Sequence, residues 1–573
     1  MHANPASADV PPAPSPSPVA RSASVPPPAP LSPWVGHLAA DFVAAGWTVS
    51  GCERHLGARE MAALAREQRT ALLMAARAVE AGSPAHALAL LTRLFVLGDQ
   101  LSAQEVALAL PRTTLAGALE LGLLASQSAE SARPAAYRAT CCVAPHHLHT
   151  RDYWVASDLT ELASGRALGA DHVLGVGGAS STLAAWTIRE AVAGGRHGAV
   201  ADVGTGSGIQ ALAAAHRADG VLATDISERA LRFARFNVAL DEAVCAVQGH
   251  VDDAAANPRD PAAAPRAAAT SRPAPIQTAL GSLLEPLAGR EFDLIVSNPP
   301  FVITPQNLDL PLMEYRDGGL GGDVLVSRLL AGLPAHLAPG GVAQLLANWE
   351  HHAGQEWSER VESWLPKGVS AWVIQREVLD PAQYVEMWLR DGGLDPRTDR
   401  AAYEASYERW LADFDRRGVD AIGFGQVILH RPARATNRTW RRIEDAPGLG
   451  APDPAAHVLL TLRARAALAQ LDDASLAALP LRLSPDVVEE RYYTPGAPDP
   501  QLVRLSQGGG LARKVVLTTA QSAVVGACDG ELPVGAIIAA VAQLLEVPAA
   551  DVAGEVLGLL RTLTEDGLLL LPA

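Results

Sequence analysis

The feature that most restricts the possible folds is a short apolar run, Ala199-Val200-Ala201-Asp202-Val203. It leads directly into Gly204-Thr205-Gly206-Ser207-Gly208 and then into a helical segment, Ile209–His216. Strand, glycine loop and helix in that order open a parallel α/β sheet, because the chain must cross back over the sheet before the next parallel strand. The glycines permit positive φ and let a ligand approach the N–H groups at the helix start. Dinucleotide-binding folds use similar physics, but two details differ. The spacing is Gly-x-Gly-x-Gly, and Asp202 stands two residues before the first glycine. A carboxylate there would repel a pyrophosphate, yet it can receive the cationic amino group of a methionine moiety. Candidate strands follow at Gly220–Thr224, Ala243–Val247, Phe292–Ser297, Gly341–Leu346, Ser370–Val378 and Gly423–His430. Residues 166–432 are therefore expected to form a seven-stranded, doubly wound, Rossmann-like α/β domain. The Ala-, Pro- and Arg-rich stretch 250–278 lacks periodicity and reads as a disordered insertion.

Asp225 ends the second strand, roughly 20 residues beyond the loop, where an acid suits two hydrogen bonds to ribose hydroxyls. It could instead cap the helix that begins near Ser227. Ile226 beside it, and Ser282 or the Leu283 backbone in Gly281-Ser282-Leu283-Leu284-Glu285-Pro286, are expected to complete the adenosine contacts.

The buried strand Phe292–Ser297 delivers Asn298-Pro299-Pro300-Phe301 to its C-terminal end, where open α/β sheets place ligands. An amide or exocyclic amine is a poor nucleophile, because its lone pair is delocalised. The Asn298 carboxamide oxygen and the Pro299 carbonyl can each accept one N–H, which orients the nitrogen toward an electrophile. Pro299 and Pro300 hold the turn rigid, and Phe301 offers a face to a flat substrate. The bland alternative is an ordinary turn with a buried Phe.

The flanks differ in character. Residues 1–32 are mostly Pro, Ala, Ser and Val and read as a disordered tail. Residues 33–165 show helical periodicity, including a capping box at Ser102 and Glu105, followed by a strand at Tyr137–Val143. Residues 433–573 end in helix, helix, turn and strand. Both flanks suggest winged-helix-like units, for docking or for scaffolding. Five cysteines are too few for a disulfide framework and fit a reducing compartment. Cys141 and Cys142 with His146, His147 and His149 are crowded for a metal set and read as strand and turn, so no metal is expected. No apolar run reaches the roughly 18 residues needed to span a bilayer, and no secretory signal is evident. A cytoplasmic protein without a membrane partner is expected; the oligomeric state stays open. The net charge of −16 argues against a broad nucleic-acid surface. Arg431, Arg434, Arg438, Arg441 and Arg442 around Trp440 are nonetheless a local basic strip, or a solvated linker.

Taken together, Asp202–Gly208, Asp225, Ser297–Phe301 and the segment Glu314-Tyr315-Arg316-Asp317-Gly318-Gly319 resemble class I methyltransferases of the HemK/PrmC type and their N6-adenine and small-domain rRNA relatives. That resemblance implies S-adenosylmethionine as cofactor. The whole chain also resembles a group of bacterial methyltransferases with extra domains on both sides, which implies that His172–Thr182, with Ser181 and Thr182, lines the methionine end. The expected activity is N-methylation of a planar amide or amine. A protein glutamine, as in a release factor, is favoured over an adenine or guanine in RNA or DNA. Phe301, where release-factor enzymes usually carry Tyr, and Ser282, where many relatives carry an acid, are departures. An NAD-binding oxidoreductase and a catalytically silent cofactor-binding protein are the alternatives from other classes.

Overall fold

The computed structural model describes residues 25–572 apart from 128–135, 167, 256–271, 306–319, 435–437 and 448–452. The segment Glu314–Gly319 therefore lies outside the described residues. At the centre is a mostly parallel eight-stranded sheet, numbered here in chain order. Its strands are β1 (His197–Val203), β2 (Ala218–Asp225), β3 (Ile276–Leu280), β4 (Phe292–Ser297), β5 (Leu337–His352), β6 (Ser370–Leu379), β7 (Val419–His430) and β8 (Arg441–Asp445). Their order across the sheet is β8-β6-β7-β5-β4-β1-β2-β3, with β7 antiparallel to both neighbours. The chain order reverses between β1 and β4, so a crevice opens at the C-terminal ends of these two strands.

Two corrections concern this sheet. Ala243–Val247 is not the third strand; it lies inside the long helix Glu228–Ala255. Its apolar residues belong to a helical face, since Phe233, Phe236, Leu240 and Val244 are spaced by three or four and all are buried. The third strand is Ile276–Leu280, which takes over the end of the stretch read as an insertion. The beginning of that stretch continues the helix to Ala255, and 256–271 lie outside the described residues. The strand count is eight rather than seven, because Arg441–Asp445 pairs in parallel with β6 beyond residue 432.

On the N-terminal side, short helices precede a small three-stranded antiparallel sheet, and Ser102 and Glu105 form the expected capping box. Tyr137–Val143 is not one strand. Ala136–Ala139 joins that small sheet, and Cys142–Leu148 forms a hairpin with Arg151–Ser157. The backbone breaks at Thr140-Cys141, so the two halves serve different partners. Among the described residues Cys141 and Cys142 are buried free thiols. The His147 ring bonds Asp152 at 2.9 Å, as strand and turn would have it. The C-terminal region contains helices Pro454–Leu468, Val534–Leu545 and Ala549–Glu565, and a three-stranded antiparallel sheet that the pattern did not suggest. Among the described residues no helix is long and apolar enough to cross a membrane.

Neither flank is a separate ball. The buried face of Glu228–Ala255 shares one core with Phe42, Trp47, Phe95 and Trp154 of the N-terminal region. Val458, Leu459 and Leu462 pack with Trp372, Ile374 and Ile428 of the sheet.

Candidate methyltransferase site

The glycine loop leaves β1 with φ of +73° at Gly204, +54° at Gly206 and +92° at Gly208, a region that side chains disfavour. At Gly208 a Cβ would also sit 3.2 Å from the Ala234 Cβ, so the loop presses closely on the long helix Glu228–Ala255. The amides of Gly204 and Thr205 donate to the Thr224 carbonyl at 2.9 and 2.8 Å. Asp202 is almost fully buried. Its Oδ2 accepts from the Thr205 hydroxyl at 2.6 Å and the Ala211 amide at 3.1 Å, while Oδ1 is buried without a partner. Burial pushes the carboxyl up to about 7, against those two donors.

Asp225 stands at the start of the next helix, as the capping reading has it. Its Oδ2 accepts the Gly206 amide and its Oδ1 the Ser227 amide, each at 2.9 Å, so it ties the loop to the start of the next helix. Each oxygen keeps a further lone pair for a hydroxyl. Ile226 beside it is 64% exposed, an apolar side chain open to cover a ring. The Gly281 amide donates to the Asp225 carbonyl at 3.0 Å, which brings Ser282 and Leu283 alongside. Leu283 is held at φ +47°, and the Ser282 amide donates to Glu285 at 3.2 Å. These residues follow β3 directly.

Val203 of β1 pairs with Ser297 of β4, and the Ser297 hydroxyl donates to the Val203 carbonyl at 2.8 Å. The glycine loop and Asn298 thus leave the sheet side by side. A Cβ on Gly204 would lie 3.8 Å from the Asn298 carbonyl oxygen. Asn298 Oδ1 is buried with no donor facing it. Pro299 is buried and Pro300 half-buried. Phe301 is half-buried between the core under the sheet and a second core around Tyr384. Ser181 and Thr182 lie on the helix Gly178–Trp186. Gln210 Nε2 anchors that helix by donating to the Ser180 carbonyl at 2.7 Å, and Gln344 anchors its end by donating to the Trp186 carbonyl at 2.8 Å. The preceding segment is fixed by Asp158, which accepts the Val173 amide and pairs with Arg229.

Three supporting residues were not legible in the sequence. Asn237 is fully buried and bonds the Ala156 amide and carbonyl and the Ser207 carbonyl at 2.7 to 2.9 Å, stitching the N-terminal hairpin to the glycine loop. The Tyr384 hydroxyl accepts the Ile303 amide at 2.8 Å and the Asn348 carboxamide at 3.2 Å, steadying the chain just past Phe301. An Asn in the apolar stripe of a helix is a signal that could have pointed to the first; none points to the other two.

The basic strip is largely consumed internally. Arg431 pairs with Glu291, Arg441 donates to the Val369 and Pro366 carbonyls, and Arg442 pairs with Glu444 and Asp566. Only Arg434 and Arg438 of the five are exposed.

Residues 173–260 match the family model Ribosomal protein L11 methyltransferase (PrmA), and residues 44–135 match Domain of unknown function (DUF7059). A release factor glutamine methyltransferase of Xylella fastidiosa (strain Temecula1) is 38% identical over 163 residues, which are 27% of this chain and 48% of that protein. The central domain is a HemK/PrmC-like class I methyltransferase domain. One from Geobacter sulfurreducens is 41% identical over 68 residues, covering 11% of this chain and 24% of it. The chain thus spans about half the length, or less, of the curated relatives it matches. Among solved structures, a ribosomal protein L11 methylase from Lactobacillus delbrueckii subsp. bulgaricus has a TM-score of 0.18 at 18% identity, covering 41% of this chain and 70% of that one. The cofactor of such a domain is S-adenosylmethionine, and the residues here fit it. The Asp202 carboxylate keeps one buried oxygen without a protein donor, and Gly204, Gly206 and Gly208 put no side chain on the loop.

Proposed function

We propose that the protein transfers a methyl group from S-adenosylmethionine to a planar amide nitrogen, the side chain of a protein glutamine in a release-factor-type substrate. The observation that carries this reading is the pair of buried, partnerless acceptors, Asp202 Oδ1 and Asn298 Oδ1, beside adjacent strand ends. Buried acceptors without donors are costly, by about 1–3 kcal/mol each, so a site that keeps two of them is built for donors that arrive with ligands. The cofactor supplies an electrophilic methyl on a sulfonium. Asp202 would hold its amino group and Asp225 its ribose. Ile226, Ser282 and Leu283 would lie along the adenine, and Ser181 and Thr182 near the methionine end. Asn298 and the Pro299 carbonyl would accept the two N–H groups of the acceptor amide over Phe301, which aligns its lone pair with the methyl and requires no strong base.

The names of the curated relatives favour glutamine. So does the internal use of three of the five strip arginines, which leaves little basic surface for nucleic acid. Phe301 in place of Tyr favours the second reading, a nucleobase amine. The small sheets packed against paired helices in both flanks support winged-helix-like roles in acceptor docking. The five buried thiols fit a cytoplasmic protein. The test is transfer of labelled methyl from cofactor to a purified release factor and, separately, to rRNA. Label on a release-factor glutamine is expected; label on rRNA alone selects the nucleobase, and label on neither sinks both. Asn298→Ala should lower turnover by about 10²–10³-fold with cofactor affinity unchanged.

A further inference from the structure

A cavity of about 470 Å³ lies between the sheet and the helix Pro454–Leu468, within the size range of small-molecule sites. Gly340 near the start of β5, Ser370 at the start of β6 and His430 at the end of antiparallel β7 form its floor. These are the N-terminal ends of the parallel strands, so the cavity sits at the edge of the sheet opposite the cofactor loop. Four arginines line it, Arg434, Arg438, Arg463 and Arg465, and no acidic residue does. Arg463 is held from behind by Glu190 at 2.9 Å. Arg465 is held by Glu565 at 2.9 Å and by the Trp440 ring, 4.2 Å from its guanidinium carbon; its Nε is buried without a partner. Arg434 and Arg438 have no acidic partner among the described residues. His430 is 7% exposed, its ring bonds no described residue, and burial keeps it neutral by pushing it down to about 4.

In a chain of net charge −16, two uncompensated guanidinium groups at the mouth of a half-open cavity with no acidic lining residue ask for a ligand of about two negative charges. A phosphate monoester carries roughly that charge and matches guanidinium forks. We propose that this cavity binds a small phosphate-bearing organic anion, its phosphate held by Arg434 and Arg438 and its body lodged between β7 and the helix Pro454–Leu468. Lying at the far edge of the sheet, it is not a place for the methyl acceptor; its occupant clamps the C-terminal region to the catalytic sheet.

The test is calorimetric titration of the full chain, saturated with S-adenosylhomocysteine so that the cofactor site is filled, with uridine monophosphate and with inorganic phosphate. Uridine monophosphate is expected to bind more tightly than phosphate and to raise the melting temperature. Arg434→Ala/Arg438→Ala should weaken it at least tenfold, with S-adenosylhomocysteine affinity and circular dichroism unchanged, because both side chains are exposed. Failure of both anions to bind overturns the proposal. So does equal binding by the double variant, or phosphate binding as tightly as the nucleotide. Binding of single-stranded RNA alone, with a steep salt dependence, would give the face to nucleic acid instead. None of these outcomes depends on methyl transfer, so this proposal and the assigned activity fail separately.

Discussion

Asp202 is a carboxylate placed where it is uncomfortable until a cation arrives. In the free protein, burial raises its pKa from 3.8 to about 7. Between those values the fold holds a proton that the unfolded chain has released, so this group lowers stability as pH rises through the window. A ligand ammonium requires the ionised form. S-adenosylhomocysteine affinity is therefore expected to increase between about pH 6 and about pH 8, and the increase should vanish in Asp202→Asn. Calorimetry across that range checks it, and a flat profile for the unaltered chain counts against the assigned role. This residue and the Asn298 tetrapeptide were readable because their chemistry is local: a strand end, a turn and a side chain of one type. That Asp225 serves both loop and helix was not, because its second partner, Gly206, lies 19 residues away.

At the scale of elements, the site is held by side chains whose partners come from other segments. Asn237→Ala removes every side-chain bond to the Ala156 amide and the Ala156 and Ser207 carbonyls in a fully buried place. A loss of roughly 3 kcal/mol is expected, together with weaker cofactor binding, read by denaturant melts and titration. Tyr384→Phe leaves the Ile303 amide without its acceptor. Turnover should fall about tenfold with cofactor affinity unchanged, because the Tyr384 hydroxyl bonds the Ile303 amide and Asn348 and no residue of the glycine loop. Equal losses in both would make Tyr384 a general structural residue. Strands that are short apolar runs ending in turn residues, such as β1, β2 and β4, were legible. The third was not, because Ala243–Val247 is the more apolar run, while Ile276–Leu280 is interrupted by Gln277 and Thr278. The helical spacing from Phe233 to Val244 and the pairing of Ile276–Leu280 with β2 distinguish them.

On the scale of the whole molecule, the catalytic sheet is covered by its neighbours in sequence. Phe236 is buried against the N-terminal region, and Phe236→Ala is expected to cost about 3–5 kcal/mol. A fragment of residues 166–432 would expose that face, the sheet surface under Val458 and Leu462, and the open edge of β6. It should lack a cooperative melt where the full chain shows one. The sequence by itself determined the strand–loop–helix unit, the acids after β1 and β2 and the tetrapeptide after β4, because each is a short-range pattern that one backbone geometry satisfies. Only the tertiary structure decided the eighth strand, the shared cores, and the pairing of Arg431 with Glu291 and of Arg442 with Asp566. Those depend on which distant groups meet when the chain folds, and no local pattern encodes a partner more than 100 residues away.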